Sequence, residues 1–255
     1  RADITENIKN AWLTDVPDVA LKPEKMLDVE SGYSFQSEKV GASVNVYLME
    51  YWDMLLETGK LSNVGYAIKE NVDRGWRRGL ELCASYEPLK WLRADANITL
   101  SSNKIRDYKE YVQNVDTYDN WAMTGRTTMY EYGNSTMLMS PSVTGMMKLT
   151  FIPWKKAAVS IDGKYVGMQY LDNTMTLSRS IPSYFVSNLS VSHTFDLNRG
   201  SLGLALYVNN LFNNMYYADG WCWKNIIEED GALVDGIGIY PQAPVNYMLK
   251  ASYRF

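Results

Sequence analysis

The sequence predicts an all-β fold, an antiparallel transmembrane β-barrel segment of about nine strands. Three observations point there: hydrophobicity repeating every second residue, connections that alternate short and long, and aromatic residues gathered at both strand ends. The 255 residues hold 8 Trp and 19 Tyr against 6 Phe. Tyr and Trp join an apolar ring to a polar tip, which suits a boundary between apolar and wet surroundings. No stretch approaches the roughly 18 consecutive apolar residues of a membrane-spanning helix, whereas short alternating strands remain compatible with a membrane. With 25 Lys+Arg against 29 Asp+Glu, the net charge of −4 gives no sign of a polyanion-binding face.

The candidate strands follow in order. Leu27–Phe35 alternates weakly. Val40–Leu48 sets Val40, Ala42, Val44, Val46 and Leu48 against Gly41, Ser43, Asn45 and Tyr47. Leu80–Tyr86 repeats the pattern, and Leu92–Leu100 sets Leu92, Ala94, Ala96, Ile98 and Leu100 against Arg93, Asp95, Asn97 and Thr99. Val143–Phe151, Ala157–Tyr165 and Phe185–Phe195 are similar. Leu202–Val208 alternates leucine and valine with Gly203, Ala205 and Tyr207, and the last strand carries Tyr247, Leu249, Ala251, Tyr253 and Phe255 on one face. The apolar face of these stretches has no Lys, Arg, Asp or Glu. The opposite face carries Asp28, Glu30, Glu81, Arg93, Asp95, Lys148, Asp162, Lys164, Lys250 and Arg254.

Alternation alone would also fit a soluble sandwich. The connections discriminate. Gln36–Lys39, Glu87–Lys90, Pro153–Lys155 and Asp196–Gly200 are short, and residues 57–73, 107–137, 171–181 and 217–243 form long loops between them. Short turns at one end and long loops at the other is the layout of an outer-membrane barrel, with the turns periplasmic and the loops outside the cell. Tyr33, Phe35, Tyr86, Trp91, Phe151, Trp154, Phe195, Tyr253 and Phe255 mark the short-turn end. Tyr51, Trp52, Trp76, Tyr165, Tyr170, Tyr216 and Tyr217 mark the other.

Little in the chain suggests catalysis or a cofactor. His193, the only histidine, falls on the apolar face between Val191 and Phe195, so a lipid-interface role outweighs a Ser–His one. Cys83 and Cys222 have no metal or redox spacing. Carboxylates such as Asp28 and Glu30 fit a charged lumen wall. No Gly-rich phosphate loop occurs, and the scattered basic residues give no nucleic-acid face. The ligand-contact candidates are loop aromatics, Trp121, Tyr130 and Tyr132 in one loop and Trp221 and Trp223 in another, which suit sugars, macrocycles or aromatic chelates. Packing of the loops on each other would use the same residues.

Several stretches resemble a known family. Leu21-Lys22-Pro23-Glu24-Lys25 followed by Glu30 and Gly32, Tyr47 to Leu55 running into Thr58-Gly59-Lys60-Leu61, and Asn71-Val72-Asp73-Arg74 through Gly79-Leu80-Glu81-Leu82 are similar to late strands of TonB-dependent outer-membrane receptors. Val208-Asn209-Asn210-Leu211-Phe212-Asn213-Asn214-Met215-Tyr216-Tyr217 is the most specific stretch, and Tyr240-Pro241-Gln242-Ala243-Pro244 before the last strand completes it. The flavour is that of Bacteroidetes receptors.

The resemblance implies a 22-stranded barrel plugged by an N-terminal domain that bears a TonB box, in the outer membrane of a Gram-negative bacterium. It implies no enzyme and no cofactor. Its partners are outer-membrane lipid, the TonB complex acting through the plug, a small-molecule or glycan substrate, and the barrel-assembly machinery, which reads a tail such as Tyr253 and Phe255. The substrate class stays open among iron chelates, vitamins or corrinoids, and oligosaccharides. Neither plug nor box is legible here. At about 28 residues per strand a full barrel needs roughly 600 residues, so residues 1–255 are expected to be its C-terminal part, with 1–23 as an outer loop. A small self-contained barrel, acting as anchor or hydrolase, and a soluble carbohydrate-binding β-sandwich are the alternatives. The missing h-region of a signal peptide at Arg1-Ala2-Asp3 fits either a chain that never crosses a membrane or one lacking its natural start.

Overall fold

The computed structural model describes residues 21–61 and 67–255. The expected outer loop over 1–23 therefore lies, for residues 1–20, outside the described residues. Among the described residues sixteen strands run in chain order: β1 (Lys25–Gln36), β2 (Val40–Leu61), β3 (Ala67–Leu89), β4 (Leu92–Arg106), β5 (Lys109–Asp116), β6 (Ala122–Glu131), β7 (Ser135–Thr136), β8 (Val143–Phe151), β9 (Ala157–Val166), β10 (Gln169–Tyr170), β11 (Ser180–Ile181), β12 (Tyr184–Leu197), β13 (Gly200–Asn209), β14 (Tyr217–Ile227), β15 (Leu233–Pro241) and β16 (Asn246–Arg254).

Nine of them form one wall in the order β1-β2-β3-β4-β8-β9-β12-β13-β16, each antiparallel to its neighbours. They are the nine strands read from the sequence. The register explains why the alternation is so regular. Across one row, Val46 faces Leu80 and Leu80 faces Leu100, which faces Val143. Further along, Ile161 faces Leu189, Leu189 faces Val208, and Val208 faces Tyr247. At the level of these rows the apolar face is thus continuous across the wall, and a one-residue slip there would put charges into it.

No second sheet covers that face among the described residues. Leu206 and Val191 are each 40% exposed and Leu249 is 75% exposed. A sandwich buries such a face, whereas a barrel offers it to lipid. The opposite face carries the polar ladder, with Lys148 in register between Asp95 and Asp162. Asn188 also donates to Asp162 at 2.8 Å. His193 sits on the lipid face between Ala157 and Leu204, edge-on to Phe195 at 4.3 Å, and near Trp154. Tyr51, expected in the outer girdle, lies on the polar side instead and packs against a small core of Met54, Val72, Ile105, Tyr108 and Met137.

Two expectations about loops need correction. Residues 57–61 and 67–73 continue β2 and β3, which reach 22 and 23 residues. Crossing a bilayer takes only about 9–11 tilted residues, so these strands project well past it. The other long connections contain strands of their own, because β15-β14-β5-β6 form a separate four-stranded sheet at the loop end. Gly59 makes its approach to the wall close: with φ +88 and a hypothetical Cβ 2.2 Å from the Tyr111 carbonyl oxygen, only glycine lets β5 lie against β2.

The Asn209–Asn214 stretch is a backbone knot. Asn210, at φ 51, accepts from the Asn214 N–H at 2.9 Å and donates to the Asn214 and Ala243 carbonyls at 2.9 and 3.2 Å. Asn tolerates the left-handed conformation because its short amide satisfies the turn locally. The knot ties the exit of β13 to the entry of β16.

Candidate functional site

Because neighbouring wall strands are all antiparallel, the long connections share one end, and there they fold together rather than standing apart. β14 joins β5 in parallel, Ile226 opposite Asn114 and Ile227 opposite Val115, although the two lie over 100 residues apart in sequence. Glu228 and Glu229 secure the junction. Asn114 donates to Glu228 at 3.0 Å, Arg126 pairs with Glu228 at 2.6 Å, and the Thr117 N–H and hydroxyl donate to Glu229 at 2.8 and 2.9 Å.

Beneath this sheet sits a charge cluster that draws on three outer segments. Lys224 of β14 pairs with Glu110 of β5 and, at 2.7 Å, with Asp172 from the segment after β10. Arg179 donates to Asp172 at 2.7 Å, pairs with Asp235 of β15, and donates to the Thr174 and Thr176 hydroxyls at 3.0 and 2.9 Å. The side chains of Arg179 and Glu110 are 3% and 5% exposed, those of Asp172 and Lys224 12% and 13%. Three carboxylates around two cations leave one surplus negative charge. Burial pushes the Glu110 carboxyl up from its ordinary value, with Lys224 pulling it only part of the way back. At Asp172 burial also opposes the charge, but hydrogen bonds from Lys224 and Thr174 and the Lys224 charge outweigh it and bring the carboxyl down to about 2. Burial pushes the Cys222 thiol up to about 11, so it stays protonated beside Asp172.

Charges buried this far cost several kcal/mol apiece unless fully paired. Here each finds a partner, so the cluster fixes the loops relative to one another. The sequence reading missed it. Its only local signal is the alternation Trp221-Cys222-Trp223-Lys224, which puts Lys224 on the face opposite the tryptophans.

The five loop aromatics divide accordingly. Trp221 and Trp223 project from the exposed face of β14, 51% and 43% exposed. Each indole lies over a glycine of β15: a Cβ on Gly238 would come 2.4 Å from Trp221 Nε1, and one on Gly236 2.7 Å from Trp223 Nε1. Trp121, 52% exposed, ends the β5–β6 hairpin at φ 62, just after Asn120 at φ 51. Tyr130 is half-buried opposite Glu110. Tyr132 points inward, its hydroxyl 3.4 Å from Glu110 and its ring 6.1 Å from that of Tyr108. The structure thus groups Trp221 and Trp223, sets Trp121 at a hairpin tip, and gives Tyr132 a supporting place. At the far end, the Tyr253 and Phe255 rings meet edge-on at 5.0 Å on the last strand.

The sheet β15-β14-β5-β6 thus presents exposed indoles on one face and closes a buried charge cluster with the other. Comparison with known proteins agrees with this architecture. Residues 6–211 match the family model described as TonB dependent receptor-like, beta-barrel. No curated protein sequence matches the chain. Among solved structures, the ferric citrate transporter FecA in its unliganded form superposes with a TM-score of 0.64 at 19% identity, over 91% of this chain and 32% of that one. The siderophore receptor PiuA of Acinetobacter baumannii gives 0.61 at 14% identity, over 89% and 28%. The ferric-catecholate import receptor Fiu of E. coli K12 gives 0.58 at 14%, over 91% and 28%. The chain therefore spans about 30% of the length of these proteins.

Proposed function

The chain belongs to the TonB-dependent receptor-like β-barrel family, and from that premise we propose that it is the C-terminal wall and outer-loop portion of a receptor that imports a scarce, bulky nutrient. Members of the family are receptors and transporters of the Gram-negative outer membrane. Among the described residues the wall ends in two unpaired edges, along β1 and β16, and these support the partial-barrel reading, since unpaired backbone is not tolerated in lipid and calls for further strands. A plug in the lumen, engaged by TonB, completes the device in this reading. The tail Tyr253 and Phe255 serves its insertion by the barrel-assembly machinery.

One observation carries the uptake reading: outer segments distant in sequence share a sheet and a buried charge cluster, and hold Trp121, Trp221 and Trp223 exposed. Neighbours named for ferric citrate, siderophore and ferric-catecholate transport favour a ferric chelate over a corrinoid or oligosaccharide. The test is tryptophan-fluorescence titration of the complete receptor with ferric citrate, a ferric catecholate, a corrinoid and an oligosaccharide. Growth of a deletion strain on each source runs alongside. A ferric chelate that quenches with micromolar or better affinity, weakened about tenfold in Trp221→Ala, supports the reading. Equal growth of deletion and parent on all four, with no binding, overturns it.

A further inference from the structure

The lipid face of the wall does not stay apolar to its outer end. Above the row that holds Leu80, Leu100 and Val143, Arg78 faces Ser102. The next row sets Glu50, Trp76, Lys104 and Thr136 side by side, and the one above it Lys25, Trp52, Arg74 and Arg106. Five cations and two tryptophans thus occupy three successive rows on the side that faces lipid. Lys104 lies four residues beyond Leu100, about 13 Å along the strand. At a barrel tilt of about 40° that is roughly 10 Å along the membrane normal, the level of lipid headgroups.

Some of this charge is spent within the protein. Arg78 donates to Glu50 at 3.1 Å and lies over the Trp76 ring at 5.0 Å. Lys25 pairs with Asp53 at 3.4 Å and Arg106 with Asp107 at 3.2 Å. Arg74 has no carboxylate partner among the described residues, and Lys104 is held only by the Thr136 hydroxyl, at 2.7 Å, and the Met175 sulfur. Moreover Arg74 and Arg106 stand directly opposite in the ladder. Like charges so placed, with Cβ atoms about 5 Å apart, oppose each other. Snorkelling toward water accounts for single cations beside an apolar belt, but not for two exposed guanidiniums brought face to face.

We propose that this patch binds the phosphate of an outer-leaflet glycolipid, with Arg74, Arg106 and Lys104 around the phosphate, Trp52 and Trp76 at the headgroup level, and the acyl chains on the apolar belt below. Guanidinium forks match phosphate geometry, and continuity with the belt is what distinguishes a lipid phosphate from a free one. This rests on the outer-membrane reading above.

Native mass spectrometry of the complete detergent-purified receptor tests it, with lipid A, its dephosphorylated counterpart and inorganic phosphate as probes. The proposal expects lipid A to be retained about tenfold better than the dephosphorylated lipid, and inorganic phosphate not to displace it at millimolar concentration. Arg74→Gln with Arg106→Gln should abolish the preference, and Arg74→Lys with Arg106→Lys should keep most of it, which separates charge loss from misfolding. Equal retention of the two lipids, or a preference unchanged in the Gln pair, overturns the proposal while leaving the barrel intact. Displacement by inorganic phosphate assigns the patch to a free anion and overturns the lipid part. A receptor that extracts without detergent overturns the membrane reading itself.

Discussion

Replacing Lys224 by Met tests whether the charge cluster holds the outer loops together. The substitution keeps an unbranched side chain of similar length and removes only the ammonium. Glu110 and Asp172, 5% and 12% exposed, then face each other with Arg179 as the remaining cation of the cluster among the described residues. Breaking a buried pair from one side costs about 3–5 kcal/mol. Proton uptake by Glu110, whose carboxyl burial already pushes up, limits that cost. A net loss of about 3 kcal/mol is expected, roughly a 150-fold shift in the local opening equilibrium. Hydrogen exchange on the complete receptor should show amides of β5 and β14 losing about two orders of magnitude of protection, while β12 and β13 in the wall stay unchanged. Adding Glu110→Gln to Lys224→Met should restore part of the loss, because the carboxylate left without its Lys224 partner is gone and the excess negative charge returns from two to one. Unchanged exchange in β5 and β14 would refute a clamping role, and loss of protection throughout the wall would show that the cluster supports the barrel rather than the loops.

Three other outcomes follow from the same structure. Leu204→Arg puts a charge on the lipid face between His193 and Ala251; it should cost about 2–4 kcal/mol and reduce assembled receptor in the outer membrane, and normal assembly would mean the register is assigned to the wrong face. Gly238→Val forces the Trp221 indole off its seat, since even a Cβ would come within 2.4 Å of Nε1; a shifted tryptophan emission maximum and weaker ligand binding are expected, with barrel assembly unchanged. Acidification should act on the loops in two directions. Asp172, lowered to about 2, contributes roughly 2 kcal/mol above pH 4 that disappears as pH falls through 2, whereas Glu110, raised, binds its proton more tightly when folded and so gains stability as pH falls toward its ordinary range. Proteolysis of the loops should therefore slow slightly on mild acidification and accelerate below about pH 4, and a monotonic rise from pH 7 would contradict these assignments.

The wall was legible because lipid on one side and polar lumen on the other leave each position only one acceptable class of residue. Leu92–Leu100 or Leu202–Val208 cannot slip without exposing the pattern. The same cause explains what was hidden. Beyond the bilayer that constraint lapses, so residues 57–61 and 67–73 read as loop although they extend β2 and β3. The loop sheet was hidden by a bulge between Gln113 and Val115 and by glycines at 236 and 238 that break the apolar rhythm under Trp223 and Trp221. Sequence spacing could not reveal the charge cluster either, because Glu110, Asp172 and Lys224 meet only through pairings 50 or more residues apart. The Asn209–Asn214 motif was recognisable as a string, but its physical content, a turn closed by the amide of Asn210, needed the backbone.

The most direct test of the central claim is the environment of successive side chains along β13. Nitroxides placed one at a time from position 202 to 208 in the complete receptor, in outer-membrane vesicles, report collision with oxygen from lipid and with a polar nickel chelate from water. A period of two is expected, with oxygen maxima at 202, 204, 206 and 208 and nickel maxima at 203, 205 and 207. A flat profile, or one inverted between the two sets, would contradict a membrane wall in this register.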